Sequence, residues 1–155
     1  QALAQRLDTL DERREALTLA RQTLAQANAA LAERFSPRLV REASEIFSEL
    51  TGGRYARVQI SRQMELEAGQ PDAAMRRSLF LSGGTADELY LSVRLAVCRL
   101  LLPEDALLLL DDALVMFDDD RLRLALRLLQ REAANRQILL FTCQHREQKA
   151  LTTDL

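Results

Sequence analysis

Two apolar runs separated by one amphipathic segment constrain the fold of this chain more than any other feature. The runs are ALLLL at 106–110 and QILLFT at 137–142, and the segment 118–134 between them has the periodicity of a helix. Short continuous apolar runs are typical of strands in parallel sheets that are covered on both faces. The order strand–helix–strand predicts a βαβ crossover, and with it an α/β fold built on a parallel sheet.

The residues before this unit predict a mixture of helices and short strands. Ser36-Pro37 marks a joint, because serine can cap a helix and proline can occupy its first turn, and Thr51-Gly52-Gly53 ends the helix that starts there. The predicted elements that follow are a strand over 54–60, a second short strand near 64–67, a polar loop over 68–73 and a helix over 85–102. The buried side of this last helix is expected to carry Leu89, Val93, Ala96 and Val97.

A strict seven-residue repeat of leucine occupies the first part of the chain. The repeat consists of Leu3, Leu10, Leu17, Leu24 and Leu31. A companion seam four residues further on is mixed, with Leu7 and Phe35 at its ends and Arg14, Arg21 and Asn28 in its middle. The leucine seam predicts that residues 1–35 are the end of a coiled-coil helix, with an ordinary amphipathic surface helix as the alternative. A coiled coil needs a partner strand, which nothing after Phe35 supplies.

Composition narrows the functional classes. The 155 residues are 48% hydrophobic and 28% charged, which is typical of a globular protein rather than a disordered one. The formal net charge of −2 argues against general electrostatic adhesion to nucleic acid, although a local arginine patch is compatible with it. No apolar run approaches the roughly 18 residues of a membrane span, and no signal peptide is recognisable. The chain starts at Gln1 in the middle of the leucine pattern, so we expect a longer protein.

The two cysteines indicate a compartment rather than a function. Cys98 and Cys143 both lie in apolar sequence surroundings. Two such cysteines suit buried, reduced thiols better than a disulfide framework. We therefore expect both thiols to be buried and the protein to be cytoplasmic.

The segment Leu81–Ala96, LSGGTADELYLSVRLA, places Ser82-Gly83-Gly84 at the head of a predicted helix. A helix start exposes unpaired N–H groups and the positive end of the helix dipole, which together suit a phosphate. The glycines let the backbone approach a ligand closely, and the serine adds a hydroxyl donor. A simple N-cap and turn explains the same tripeptide, so the tripeptide alone does not decide between the two.

The first apolar run ends in two carboxylates, Asp111 and Asp112. Open α/β sheets bind their ligands at the carboxyl ends of the strands. In phosphoryl-transfer enzymes an aspartate at this place helps to hold Mg²⁺, and the next carboxylate can orient the attacking water. Two solvated acids at a capped strand end are the alternative.

Taken in order, these features resemble the C-terminal lobe of an ABC-type ATPase head, a parallel-sheet domain of the P-loop NTPase type. LSGG at 81–84 is similar to the ABC signature, LLLLDD at 107–112 to the Walker B strand and its following carboxylate, and ALVMFD at 113–118 to the D-loop. QILLFT at 137–142 resembles the strand that leads to the switch residue. The coiled-coil helix in front of the lobe narrows the resemblance to the SMC, SbcC-type DNA-repair and YhaN-like ATPases. The motifs that carry the resemblance cover residues 36–146, and residues 36–155 are predicted to form the lobe.

The resemblance implies an ATP site that two heads share. Ser82, Gly83 and Gly84 would contact the γ-phosphate held by the opposite head, and Asp118 would support contact between the heads. Asp111, at the position of the Walker B aspartate, would reach Mg²⁺ through water. Asp112 stands where many ABC ATPases have a glutamate as general base.

At the switch residue the spacing departs from the family pattern. The family usually places a histidine directly after the threonine or serine of the strand. Here Cys143 follows Thr142, and Gln144 and His145 come next. Either Gln144 or His145 is a candidate for the switch residue, and a solvent-facing helix start is the alternative for His145.

The resemblance also implies partners. The sequence contains no GxxxxGK[ST] loop, so the ATP-binding P-loop would lie in an N-terminal Walker A lobe of the same protein, and this chain alone would neither bind ATP well nor hydrolyse it. A second head in a homodimer, DNA and a nuclease subunit are further expected partners, and a membrane is not. The candidates for contacts with DNA phosphates are Arg54, Arg57, Arg62, Arg76 and Arg77, with solvated edge-strand arginines as the alternative.

Two other functions remain compatible with the sequence. A transporter-type ATPase subunit would carry the same signature and Walker B motifs without a coiled coil between its lobes. A non-catalytic coiled-coil scaffold would keep the lobe as a relic.

Overall fold

The computed structural model describes residues 2–61 and 65–153, which form four α-helices and five strands. In chain order the elements are α1 (Ala2–Leu50), β1 (Arg57–Ile60), β2 (Leu66–Gly69), β3 (Arg76–Arg77), a 3₁₀ turn (Ser78–Phe80), α2 (Gly83–Leu101), β4 (Leu108–Asp111), α3 (Asp119–Glu132), β5 (Ile138–Phe141) and α4 (His145–Thr153). The chain divides into two compact units, Gln1–Pro37 and Arg38–Leu155. The α/β class predicted from the sequence is confirmed.

The first unit is helical, as predicted for residues 1–35, from Ala2 onward. Its leucines at 10, 17 and 24 are exposed. A leucine seam shows this exposure when no partner helix covers it. Pairing as a coiled coil stays a prediction. Neither α1 nor any other helix within the described ranges is both long and apolar enough to cross a membrane.

The joint predicted at Ser36-Pro37 is wrong, because α1 continues through Pro37 to Leu50. A proline inside a helix removes one backbone hydrogen bond and costs about 3 kcal/mol. After the proline, however, the helix buries Ile46, Phe47 and Leu50 on one face. Burying three side chains of this size contributes about 5 to 9 kcal/mol.

The end of α1 is where the sequence predicts it. Gly52 and Gly53 adopt positive φ angles of 60° and 81°. The N–H of Gly53 donates to the carbonyl of Ser48 at 2.7 Å, and the N–H of Gly52 donates to that of Glu49 at 3.1 Å. These bonds satisfy carbonyls of the last helical turn, and glycine reaches the required left-handed conformation without a steric cost.

Three strands form an antiparallel sheet in the order β1-β2-β3. Val58 pairs with Ala68, which pairs on its other side with Arg76. The first strand starts three residues later than predicted and ends at Ile60 as predicted. The second strand is shifted by two residues, so Ala68 and Gly69 belong to β2 and not to the predicted loop. Met64, the start of the second predicted strand, lies outside the described residues. The sequence does not predict β3, because two exposed arginines carry no alternating pattern.

The second unit has one hydrophobic core, to which the end of α1, β1, β2, α2, β4 and α3 contribute. Leu89 and Ala96 of α2 are buried as predicted, whereas Val93 and Val97 are half-buried. The buried residues of α3 are Leu122, Ala125, Leu126, Leu128 and Leu129. This spacing of apolar residues gives α3 one continuous buried face.

The predicted βαβ crossover is confirmed, because β4 and β5 pair in parallel with α3 between them. Leu108 lies opposite Ile138, and Asp111 lies opposite Phe141. The prediction that both strands are buried on both faces is wrong for this chain. Leu109 is 59% exposed and Phe141 is 54% exposed. Helices of the described chain cover one face of this two-stranded sheet, and the other face is open.

Candidate functional site

Ser82 is exposed and is the N-cap residue of α2, with an extended backbone (φ −65°, ψ 153°). Its side chain makes no capping hydrogen bond to the helix, and its hydroxyl donates instead to Thr85 Oγ1 at 2.9 Å. The cap side chain therefore does not occupy the N–H groups at the helix start. Those groups and the positive end of the helix dipole suit an anionic ligand.

The two positions after Ser82 differ in whether the surrounding structure requires a glycine. At Gly84, which is buried, a Cβ would lie 2.6 Å from Arg121 Nη1 and 3.0 Å from the carbonyl oxygen of Met116. At Gly83, which is exposed, a Cβ would meet only the end of the Met116 side chain, at 3.4 Å. Close packing thus requires the second glycine but not the first. A close approach of a ligand to the backbone would account for Gly83.

Asp112 follows β4 directly and has a left-handed backbone, with φ 46°. Aspartate tolerates this region better than most residues because its short side chain bonds locally. Here Oδ1 accepts a hydrogen bond from the N–H of Cys143 at 3.1 Å, while the Asp112 N–H donates to the Phe141 carbonyl at 2.9 Å. The carboxylate thus ties the end of β4 to the segment after β5. Asp111 lies exposed beside it.

The segment that connects β5 with α4 carries both candidate switch residues. The N–H of Gln144 donates to Thr142 Oγ1 at 3.0 Å, which forms a local turn. Gln144 is half-buried, and His145 is exposed as the first residue of α4. The assignment of the switch to one of them stays a prediction.

The burial predicted for the cysteines is wrong. Cys143 is exposed and Cys98 is half-buried, and both are free thiols. The cause is the length of β5, which ends at Phe141. Cys143 therefore lies in the exposed turn that connects β5 with α4, and not on the strand.

Asp118, the last residue of the D-loop-like segment, caps α3. Its Oδ1 accepts from the Arg121 N–H at 3.0 Å, and its Oδ2 lies 3.1 Å from Arg121 Nη1. The hydrogen bond from the backbone N–H of Arg121 is the main cause that lowers the pKa of Asp118 below its usual value. Asp118 is exposed, so its carboxylate is ionised and accessible at neutral pH.

Arg146 is a site residue that sequence reasoning missed. Its guanidinium, from the first turn of α4, donates to the backbone carbonyls of Leu114, Val115 and Phe117, the last two at 3.1 and 2.5 Å. These bonds hold the D-loop-like segment against the switch segment. The sequence gives only a weak indication of these contacts. A cation in the first turn of a helix interacts unfavourably with the helix dipole, so a compensating partner elsewhere is expected.

Glu88 and Arg121 were also missed. Glu88, on α2, is 1% exposed, and Arg121 Nε lies 3.2 Å from its Oε1. Burial raises the pKa of Glu88 to about 7, in spite of the opposing charge of Arg121. A glutamate in the middle of an amphipathic helix does not reveal its burial, because the arginine that faces it is 33 positions away in the sequence.

The segments that carry the predicted site residues are therefore linked by contacts within the second unit. Asp112 contacts the switch segment, Arg146 joins the switch segment to the D-loop-like segment, and Met116 packs against the glycines of α2. Asp118 joins the same surface through Arg121. No group of three or more His, Cys, Asp or Glu residues in the described ranges is arranged to hold a metal by itself. A magnesium ion needs no such cage, because it usually takes one or two carboxylates together with phosphates and water.

Two of the arginines suggested for DNA have structural partners. Arg57 donates to the carbonyls of Gln70 and Ala73, and Arg77 pairs with Glu65. Arg62 lies outside the described residues. The DNA role of the arginine set stays a prediction, and these contacts favour a structural role for Arg57 and Arg77.

Comparison with known proteins finds similarity in structure alone. No protein-family model matches the chain, and no curated protein matches it in sequence. One similar structure comes from work on the ATP-driven dimerization and DNA-stimulated activation of SMC ATPases. It has a TM-score of 0.65 at 20% identity, and the match covers 79% of this chain and 76% of that one.

Two further structures are similar over less of their own length. The Smc head domain with an extended coiled coil from Pyrococcus furiosus, bound to the C-terminal domain of ScpA, has a TM-score of 0.61 at 18% identity, covering 91% of this chain and 38% of that chain. The SMC head domain from Thermotoga maritima has a TM-score of 0.59 at 18% identity, with coverages of 81% and 44%.

These similarities define the class of fold as that of an ATPase head domain. In particular, the chain has the fold of the C-terminal region of an SMC head. The resemblance predicted from the sequence motifs is thus confirmed at the level of the fold.

Proposed function

We propose that this chain is the C-terminal half of an SMC/SbcC-like ATPase head, which binds and hydrolyses ATP at the interface between two heads. The observation that carries the proposal is the continuity of the site. Signature, D-loop, Walker B and switch segments, which extend over more than 60 residues of the sequence, are joined by hydrogen bonds and packing within one SMC-like fold.

The open face of the parallel sheet supports a second lobe. Parallel sheets are almost always covered on both faces, yet Leu109 and Phe141 are exposed together with Leu107 and Leu139. The sequence has no GxxxxGK[ST] loop. An N-terminal Walker A lobe of the same protein would supply the loop and would cover this face.

The residues of the site fit ATP and Mg²⁺. The start of α2 offers backbone N–H groups, the Ser82 hydroxyl and an exposed glycine to a phosphate. The exposed carboxylate of Asp111 suits Mg²⁺. When bound, ATP with Mg²⁺ supplies the phosphoanhydride bond that is cleaved.

Asp112 is proposed as the general base. Its Oδ1 is engaged with the N–H of Cys143, so the same carboxylate would accept a proton from water and hold the switch segment. A glutamate is one methylene longer and fits the left-handed position less well, because the local hydrogen bond favours the shorter side chain. This accounts for an aspartate at this place. Gln144 or His145 would then sense the γ-phosphate, and Asp118 would contact the second head.

The wider function is proposed from the fold likeness. We propose that ATP-driven joining and release of two heads in a homodimer acts on DNA, by processing or tethering, in the cytoplasm, with a nuclease subunit as a candidate partner. One of the similar structures belongs to work on DNA-stimulated SMC ATPases. The long helix α1, whose first part precedes the lobe in the sequence, favours this class over a transporter-type subunit.

The test uses the full-length protein that contains this chain. Asp112→Asn keeps the acceptor for Cys143 N–H but cannot take a proton, so it is expected to preserve ATP-dependent dimerisation and to lower kcat by about 100-fold or more. Ser82→Arg fills the start of α2 and is expected to abolish the dimer. Sedimentation with and without ATP, together with phosphate release, measures both. If Asp112→Asn fails to dimerise with ATP while its fold is intact, the proposed mechanism is wrong.

A further inference from the structure

Arg121, in the first turn of α3, contacts side chains from two separate motifs. Its Nη2 donates to Thr85 Oγ1 at 3.1 Å, and its Nη1 donates to Asp118 Oδ2 at 3.1 Å. Its Nε lies 3.2 Å from Oε1 of the buried Glu88. Arginine presents its donors in a rigid planar fork, so three contacts in different directions fix both the place and the plane of the guanidinium.

The contacts of Arg121 extend to the signature serine. Thr85 Oγ1, which accepts from Arg121, also accepts from the Ser82 hydroxyl at 2.9 Å. A bonded path therefore runs from Ser82 through Thr85 and Arg121 to Asp118. The guanidinium also occupies the space that a side chain at Gly84 would need. A movement of the start of α2 relative to α3 would break this path and open a gap beside Gly84.

We propose that Arg121 is a positioning residue, which holds Ser82 and Asp118 in one arrangement so that both meet the opposite head together. The inference rests on the proposed function, since it requires that the two residues act across a head–head interface. Arg121 acts through Thr85 and Asp118 and does not itself bind the nucleotide. Loss of Arg121 should therefore impair dimerisation of the heads and leave the affinity of a single head for ATP unchanged.

With Arg121→Ala alone, a loss of positioning could not be distinguished from a loss of stability of the fold. It leaves the Glu88 carboxylate buried without its cation, which strongly destabilises a protein. The informative comparison is therefore made in a Glu88→Gln background, where the buried charge is removed together with its need for a partner. Arg123→Ala is the matched control, because Arg123 lies on the same helix, is exposed and pairs locally with Asp120.

The experiment compares full-length Glu88→Gln with the same protein carrying Arg121→Ala, Thr85→Val, both of these, or Arg123→Ala. The expected loss in ATP-dependent dimerisation is about tenfold or more for Arg121→Ala, the value for removal of charged hydrogen bonds. Binding of a fluorescent ATP analogue to the monomeric head should be unchanged. Thr85→Val should add no further loss to Arg121→Ala, since both interrupt one path. Arg123→Ala should behave like its parent.

Two results would overturn the inference directly, and a third would overturn it together with the proposed function. One is dimerisation of Arg121→Ala equal to that of its Glu88→Gln parent, in conditions where Ser82→Arg abolishes the dimer; the proposed function would then survive without a role for Arg121. The other is an equal loss of ATP binding by the monomeric head, which would show a general structural defect. If Ser82→Arg itself leaves the dimer intact, the proposed function fails, and the inference fails with it.

Discussion

Substitution of the buried Glu88 by glutamine tests the electrostatics of the core beneath the site. The carboxylate is 1% exposed, and burial raises its pKa from 4.5 to about 7. The cation of Arg121 offsets part of this effect, but desolvation is the larger of the two. Glutamine keeps the shape of the protonated side chain and removes its ionisation. The variant should therefore differ from the wild type mainly at pH values where the wild-type carboxylate is charged.

The direction of the pH effect on stability follows from the number of protons bound in the folded and unfolded states. Between pH 4.5 and about 7 the unfolded chain has released the proton that the folded protein still holds, so the wild type loses stability as pH rises. Above about pH 7 both states are ionised and the loss is complete. The interval from 4.5 to about 7, at about 1.4 kcal/mol per pH unit, amounts to about 3 kcal/mol. From pH 5 to pH 8, the stability of Glu88→Gln relative to wild type should rise by about 2 to 3 kcal/mol.

Urea denaturation of the chain at pH 5, 6.5 and 8 measures this difference directly. Glu104→Gln is the control, because Glu104 lies exposed in the loop before β4, and its curve should parallel that of the wild type. Parallel curves for Glu88→Gln and wild type across the range would refute the burial argument. The same result would remove the reason for using Glu88→Gln as the background for the Arg121 variants.

Two further predictions concern the loops of the site. Arg146→Ala removes the donors to the carbonyls of Leu114, Val115 and Phe117, and urea denaturation should show a loss of about 1 to 3 kcal/mol in the free energy of unfolding. Arg146→Lys should recover less than half of this loss, because an ammonium group cannot reproduce the planar, forked donors of a guanidinium. Full recovery by lysine would contradict the hydrogen-bond geometry described for Arg146. Cys143 is exposed and Cys98 half-buried, so a thiol reagent should modify one cysteine quickly and one slowly, and Cys143→Ser should remove the fast phase; a single slow phase would show that Cys143 is covered.

Local features of the site were predictable from the sequence, and its cross-contacts were not. The signature tripeptide, the two aspartates and the D-loop aspartate each sit at the end of an element, where a motif and an element boundary coincide, and α2, β4 and α3 confirm those boundaries within a few residues. Arg121 and Arg146 act on partners about 30 positions away. No periodicity or spacing encodes such a contact, because it depends on how α2, α3 and α4 pack.

The two apolar runs indicate more burial of their strands than the structure of this chain alone provides. β5 is apolar at every position and β4 at every position before Asp111, as strands covered on both faces are, and the parallel pairing of β4 with β5 is as predicted. In the structure only one face of the sheet formed by β4 and β5 is buried, and Leu109 and Phe141 are exposed on the other face. Covering two such side chains contributes about 3 to 6 kcal/mol. A surface that faced water throughout the life of the protein would gain nothing from leucine and phenylalanine at these positions, so their presence favours a covering lobe, and the exposed face is where the proposed Walker A lobe would bind.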